Sequence, residues 1–580
     1  VRLAEGIVRD AAGLSASPKT PVLIDWLEKQ KVEPVMEMPE SEDEIIVLDL
    51  SLSSPLLHGR DTDDTQDFTR RVFRHIEDEG ATVGIGRYLE PRAFYLTEIF
   101  AGRDGDPRER RTVHTGIDIF DQASTTVYAP IAGRVHSVAD NGQGLDYGPT
   151  VILEHDGPAG PFWTLYGHLE ASSVEELQVG ATVASGDAIA RIGPFPENGN
   201  WPPHLHFQIL TDLLDFEGQF PGVAAPREQS VWASFSPDPN LILRLSSDTT
   251  FVPPSDLSDR RAALFGANLS IAYEAPLHIV RGIGTCLYDT MGRSYLDCVN
   301  NVAHVGHERR SVVEAGQRQM SVLNTNTRYL HENVLEYAER LADLLPDPLS
   351  VCFFVNSGSE ANELALRMAR AHTGGQGVVA IEGGYHGHSQ SLIDVSHYKH
   401  AGQGGAGAPD WVRVAPLPDD YRGLYGREVM DRAVRYAMHV GEAFGSLSSS
   451  GQAPGAFIAE SILSCGGQIE PPAGYLEEAY RIARSRGAVC IADEVQIGFG
   501  RVGSHMWGFG SQNVVPDIVT LGKPMGNGHP IGAVVTSPEI AKSFANGMEF
   551  FSTFGGNPVS AAIGLAVLDV IEADRLQEHA

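Results

Sequence analysis

Apolar residues along this 580-residue chain fall into successive rhythms. Residues 1–45 hold one amphipathic helical pattern, "TPVLIDWLEKQK", followed by an acidic connector, "MEMPESEDE". From 46 to 232 the apolar runs are short, as in "TVYAPIAGRVHSVA", "TVILEHDG" and "FWTLYGHL", and Gly, Asp and Pro break them. That rhythm predicts an antiparallel all-β domain. Residues 233–262, with "SPDPN" and "VPPSDLSDRR", read as a linker. From 263 to 580, helical stretches such as "EANELALRMARAH" and "LEEAYRIARSRG" alternate with buried-strand runs such as "VCFFV", "GVVAI" and "AVCIADEV". The alternation predicts an α/β domain with a largely parallel sheet. The pattern therefore describes a multidomain chain without internal repeats.

Length agrees, because 580 residues exceed what one core supports. Charge narrows the partners. Against 43 Lys and Arg stand 75 Asp and Glu, a formal charge of −32, which argues against nucleic acid or an anionic membrane. The five cysteines all lie from residue 286 onward without CxxC spacing, so free thiols in a reducing, cytoplasmic compartment are expected. No apolar run approaches the roughly 18 residues of a membrane span. The opening "VRLAEGIVRD" has neither an initiator Met nor a basic-then-apolar leader.

Candidate chemistry begins with "WPPHLHFQIL", where His204 and His206 share one face of a strand. Upstream, "HTGIDIF" puts His114 and Asp118 on one strand face, and "LYGHLE" contributes His168. Imidazole and carboxylate are good zinc ligands, and a catalytic zinc takes three protein groups and leaves a position open. His114, Asp118 and one histidine of the pair make such a set, leaving the other and His168 to move protons or stabilise an oxyanion. The ordered trio, with "VYAPIAGRVHSV" and "GDAIARIG" between, resembles the lysostaphin-like zinc endopeptidases that cut peptidoglycan cross-bridges. The resemblance implies His114, Asp118 and His206 as zinc ligands and His168 and His204 as catalytic histidines.

Three features of the α/β region converge on a second chemistry. "VCFFVNSGSEANELALRMAR" is a buried strand, a Ser/Gly turn and a helix whose start at Ser357–Ser359 presents free N–H groups to a phosphate. "GAVCIADEVQIGFGR" ends a strand at Asp493, where ligands bind in open α/β sheets. "DIVTLGKPMGNGHPIGAVV" sets Lys523 between apolar strands, where partial desolvation favours carbonyl chemistry.

Together these segments resemble the fold-type I pyridoxal phosphate enzymes, in particular the class III aminotransferases, over residues 265–580. The resemblance implies Lys523 as the lysine that bonds the cofactor aldehyde and Asp493 as partner of the pyridine nitrogen. It also implies Gly358 and Ser359 at the cofactor phosphate, Tyr385 of "GGYHGH" stacked on the ring, and Gln496 near the phenolic oxygen. Thr553 of "FSTFGGNP" would reach the cofactor phosphate of a neighbouring subunit, implying a homodimer. Class III transaminases usually read like "EPVQGEGG" where this chain has "AESILSCGGQIEPP", and "GGG-x-P" where it has "MGNGHP". These variants, with "NNVAHVGH" and "NTNTRYLHENVLEYAERL", look like the phospho-lyase branch, similar to ethanolamine-phosphate and 5-phosphohydroxy-lysine phospho-lyases. A small phosphorylated amine is then the expected substrate, with Asn527 and His529 as candidates to contact its phosphate.

The family continues past "EADRLQEHA" into a C-terminal small domain, which is expected to be incomplete here. Residues 1–30 resemble the tail of an aminoglycoside-phosphotransferase-like kinase domain. The preferred expectation is thus a phospho-lyase with an attached zinc domain. The alternatives are a transaminase that needs a 2-oxo acid, and a zinc endopeptidase acting on peptidoglycan.

Overall fold

A computed structural model describes residues 17, 19–57, 64–96, 98–101, 110–142, 144–245, 248–254 and 257–580. Most of the kinase-like resemblance, residues 1–16 and 18, lies outside them. The chain divides into two compact units, one ending at Leu296 and the other spanning Asp297–Ala580.

In the first unit, eight strands form one sheet in the order Ile45–Leu48, Val83–Gly86, Ile117–Phe120, His204–Leu210, Phe162–Gly167, Gly148–His155, Gly133–Asn141, Thr182–Val183. Neighbours are antiparallel, as the short-strand rhythm predicts, except at one edge. There Ile45–Leu48 and Val83–Gly86 run parallel, with the helix Thr65–Asp78 between them in sequence. That helix is strongly amphipathic, and its Phe68, Val72 and Ile76 are buried. Asp64 caps its first turn by accepting from the Asp67 N–H at 3.0 Å.

The central strand His204–Leu210 is buried on both faces. Leu205, Phe207 and Ile209 enter the main apolar core with Ile85, Ile117, Ile119 and Val151. His204, His206 and Gln208 take the opposite face because side chains alternate.

The unit also contains segments expected to be linker or later domain. Asn240–Leu243 is helical, and its Ile242 joins the same core. A three-stranded meander, Ile279–Ile283, Cys286–Asp289 and Ser294–Leu296, sets Tyr288 into a cluster with Leu48, Phe68 and Phe94. This packing puts the break between compact units after Leu296, beyond the linker expected at 233–262.

The second unit is built on a seven-stranded sheet in the order Val351–Val355, Gly532–Thr536, Ile518–Leu521, Val489–Asp493, Pro454–Glu460, Gly377–Ile381, Val412–Ala415. Six strands point one way, and Gly532–Thr536 is antiparallel to both neighbours. Gly358–Thr373 contributes Ala361, Leu364, Ala365 and Met368 to one core layer. Arg432–Ser449 and Tyr475–Ser485 make another with Phe457 and Cys490. The five inner strands are buried on both faces and read as largely continuous apolar runs rather than alternations. Among the described residues, no helix is long and apolar enough to cross a membrane. All five cysteines are free.

Candidate active sites

Strand register assembles the first site. His206 lies directly across from Asp118 on one neighbouring strand and from Gly167, just before His168, on the other. His114 does not share the strand of Asp118, as the spacing suggested. It sits on Val113–His114, which pairs with Val223–Ala224, and the chain bends before Ile117–Phe120 begins. The bend passes through Gly116, where a Cβ would stand 2.6 Å from Cε1 of His206. Glycine there lets the backbone pass under the imidazole.

The three expected ligands converge. His206 Nδ1 is 2.9 Å from Asp118 Oδ1 and 3.0 Å from His114 Nε2, and His114 Nε2 is 3.2 Å from the same oxygen. Among the described residues, this is the one group of three or more His, Cys, Asp or Glu side chains placed to hold a metal ion. Burial, then Arg92, pushes His114 down to about 3, so its imidazole is neutral. Burial raises Asp118, but His114 and Arg92 outweigh it and hold the carboxyl well below the usual range. Neutral imidazole and ionised carboxylate are the protonation states a metal requires.

His168 and His204 flank the trio, their rings 4.3 Å apart. His168 Nδ1 donates to the Asn198 carbonyl at 2.8 Å, and His204 Nδ1 donates to the Pro202 carbonyl at 2.7 Å. Each therefore keeps Nε2 as an acceptor, and burial lowers both from the ordinary histidine range. His168 adopts φ +63°, a left-handed conformation that non-glycine residues rarely take. A cavity of about 190 Å³, walled by Tyr95, Trp201 and Phe220, opens onto Asp118, His168, His204 and His206.

The second site sits at strand C-termini. Asp493 ends Val489–Asp493, Glu460 ends Pro454–Glu460, Gly358 follows Val351–Val355, and Lys523 follows Ile518–Leu521. A cavity of about 400 Å³ is lined by these four residues together with Ser359, Tyr385, Gln496 and His529. Burial lowers Lys523 below the ordinary lysine range against the pull of Asp493. Burial, then Asp493, raises Glu460.

The residues fit a pyridoxal phosphate. Ser357 caps the helix Gly358–Thr373 by accepting from the Glu360 N–H, and the helix start at Ser357, Gly358 and Ser359 lines the cavity. A Cβ at Gly358 would stand 2.6 Å from Val495, so glycine lets the helix start pack directly on that side chain. Lys523 and Asp493 both face the same space.

Thr553 does not line this cavity; it is exposed on its own chain. Asn527, expected as a candidate for substrate phosphate, is spent elsewhere. Its Oδ1 accepts from the Val305 N–H at 2.9 Å and its Nδ2 donates to the Gly306 carbonyl at 2.8 Å. It thereby holds the "VG" of "HVGH" in place. His529 keeps its position on the cavity wall, with Nε2 2.8 Å from Ser560 Oγ.

Several functional neighbours escaped sequence reading. His386 Nδ1 donates to Asp493 Oδ2 at 2.8 Å, and Asn362 Nδ2 donates to the same oxygen at 2.7 Å. Glu460 Oε1 accepts from the Tyr385 N–H at 3.2 Å, fixing the backbone that carries the expected stacking ring. Gln496 Oε1 accepts from Asn301 Nδ2 at 2.5 Å. His386 is next to Tyr385 in "GGYHGH", so that motif was the available signal; Asn362 and Glu460 carried none.

Comparison with known proteins places both sites in families. Residues 270–580 match the model of aminotransferase class-III, and residues 112–216 match that of peptidase family M23. A Drosophila melanogaster protein named alanine–glyoxylate aminotransferase 2-like is 55% identical over 309 residues, covering 53% of this chain and 63% of that protein. The chain thus spans less than two thirds of that relative. An ethanolamine-phosphate phospho-lyase homolog 1 of Caenorhabditis elegans is 38% identical, covering 56% of this chain and 72% of that protein. Among solved structures, a phospholyase from Arthrobacter in complex with phosphoethanolamine aligns with a TM-score of 0.53 at 42% identity, covering 56% of this chain and 76% of that one.

Proposed function

The chain belongs to the class III aminotransferase family, and from that membership we propose a pyridoxal-phosphate-dependent phospho-lyase that releases phosphate and ammonia from a small phosphorylated amine. The reading is carried by the convergence of Lys523, Asp493 and the Gly358–Ser359 helix start on one cavity, in a chain 42% identical to a phospholyase solved with phosphoethanolamine.

Bound pyridoxal phosphate supplies the electron sink that stabilises negative charge on the carbon bearing the amine. The protein supplies everything around it. Gly358 and Ser359 would hold the cofactor phosphate with helix N–H groups, and Asp493 would keep the ring nitrogen's proton. Tyr385 and Gln496 line the same cavity, where Tyr385 would cover the ring face and Gln496 would contact the phenolic oxygen. Lys523 would carry the cofactor and would take the proton from the substrate carbon, a role that its burial-lowered basicity suits. Thr553, exposed and outside its own cavity, serves the cavity of a second copy, making the homodimer the working unit.

In the peptidase-family module, His114, Asp118 and His206 would hold zinc, which would supply a Lewis acid that activates water and polarises carbonyls. His168 and His204 exchange protons through their Nε2 atoms. We assign the zinc module to the unit that ends at Leu296, whose core includes Leu23, Leu27 and Ile242 from segments expected to be remnant or linker, and the pyridoxal phosphate site to the unit Asp297–Ala580. Free thiols support a cytoplasmic setting.

Transamination is the second reading, favoured by the 55% identity to a protein named for that activity. Phosphoethanolamine and phosphohydroxylysine, supplied with pyridoxal phosphate and no 2-oxo acid, separate the two. Equal release of phosphate and ammonia establishes the lyase. No release, with amino transfer appearing once pyruvate is added, establishes the transaminase.

A further inference from the structure

Two of the three proposed metal ligands are steered by a segment that precedes the peptidase-family match at 112–216. Residues 87–92 run beside the His114 strand. The Leu89 N–H donates to the His114 carbonyl at 2.8 Å, the His114 N–H to the Glu90 carbonyl at 3.0 Å, and the Arg92 N–H to the Thr112 carbonyl at 2.9 Å. The Arg87 carbonyl then accepts from His114 Nδ1 at 3.2 Å, which leaves Nε2 as the ligand atom.

Arg92 acts on the second ligand. Its side chain is 1% exposed, and Nη1 donates to Asp118 Oδ2 at 2.5 Å. The other oxygen, Oδ1, faces His206 and His114. The carboxylate is therefore divided, one oxygen toward a guanidinium and one toward the cation position. Arg92 is itself pinned, because Nε donates to Oε2 of the fully buried Glu90 at 3.1 Å. Glu90 Oε1 in turn accepts from Arg87 Nη2 at 2.6 Å and from the Leu50 N–H at 3.2 Å. Gly86 leaves the room required, since a Cβ there would stand 2.6 Å from Arg92 Nη2. A buried charge network of this kind is a poor source of stability compared with apolar packing, so its placement on a ligand oxygen calls for another role.

We propose that Arg92, held by Glu90, is a positioning residue of the metal centre that reserves Asp118 as a one-oxygen ligand. Residues 87–92 thereby belong to the metal site, although they lie outside the family match. The inference rests on the zinc-site reading above. A single carboxylate oxygen suits four-coordinate zinc, whereas calcium takes six to eight oxygens and accepts both from one carboxylate.

The test uses the full chain and its His206→Ala, Arg92→Met, Arg92→Lys and Glu90→Gln variants. Zinc affinity is read by chelator competition, coordination by the cobalt(II) absorption spectrum, and folding by urea unfolding of the metal-free protein. We expect Arg92→Met to weaken zinc about 10–100-fold, as loss of an outer partner does. Its cobalt band should weaken as Oδ2 joins the shell, with Arg92→Lys restoring part of both. Wild-type zinc affinity and cobalt spectrum in Arg92→Met, with His206→Ala unable to bind, would overturn the inference and leave the ligand reading standing. Undiminished zinc in His206→Ala would overturn both. If Arg92→Met does not fold, Arg92→Lys and Glu90→Gln decide on the same criterion.

Discussion

Asp493→Asn is the substitution whose consequence the structure defines most closely. The carboxylate is 3% exposed and accepts three hydrogen bonds. Oδ1 takes the Val495 N–H at 3.1 Å, and Oδ2 takes Asn362 Nδ2 at 2.7 Å and His386 Nδ1 at 2.8 Å. An amide of the same shape has one acceptor and one donor end. With its NH2 at the Oδ1 position it meets the Val495 N–H; reversed, it meets the Asn362 amide. His386 can change tautomer to accept, because its buried Nε2 has no partner among the described residues. Asn362 cannot flip freely, because its Nδ2 also donates to the His386 carbonyl at 2.8 Å. Either orientation therefore leaves one buried donor facing a donor, which costs about 1–3 kcal/mol. Loss of charge assistance adds to this, and relief of a buried charge subtracts, so we expect about 2 kcal/mol. Urea unfolding of the cofactor-free protein measures it. Of the transitions that two compact units allow, the one indifferent to zinc reports the unit containing Asp493. Phosphate release by the reconstituted enzyme should fall about 10²–10³-fold, the scale for removing one preorganised electrostatic group. An unchanged unfolding midpoint and slope, with undiminished phosphate release, would refute the reasoning.

Gly116→Ala places a methyl 2.6 Å from the His206 imidazole, so stoichiometric zinc should be lost in metal analysis while pyridoxal phosphate activity persists. Lys523→Met bears on pH. Burial lowers the folded lysine below its unfolded value, so the unfolded chain binds more protons between the two, and cofactor-free stability rises with pH through that window. The Met variant should exceed the parent at neutral pH and lose the advantage as pH approaches that of ordinary lysine; a pH-independent difference in urea midpoint would contradict this. Asn527→Ala removes both bonds to Val305 and Gly306 from a residue at φ +48°, so it should destabilise by about 1–3 kcal/mol in the same unfolding assay. A loss of substrate affinity without loss of stability would restore Asn527 as a phosphate contact.

The sequence by itself determined the strand runs, the α/β alternation and several of the polar residues that line each cavity. Period-two spacing in "HLHF" put His204 and His206 on one face, and apolar runs ending in Asp493 and leading into Lys523 marked the strand ends where ligands collect. These are local signals, set by backbone geometry within a few residues. Tertiary structure decided what joins across the chain. Arg92 reaches Asp118 over 26 residues, His386 reaches Asp493 over 107, and Asn362 reaches it over 131. Nothing in those local patterns distinguishes a buried Arg, His or Asn that supports a site from one that is solvated. Sheet order and register bring the partners together, and desolvation then makes each of their hydrogen bonds obligatory. The same dependence explains Asn527, a polar residue in a glycine-rich loop whose bonds went to a backbone segment more than two hundred residues earlier.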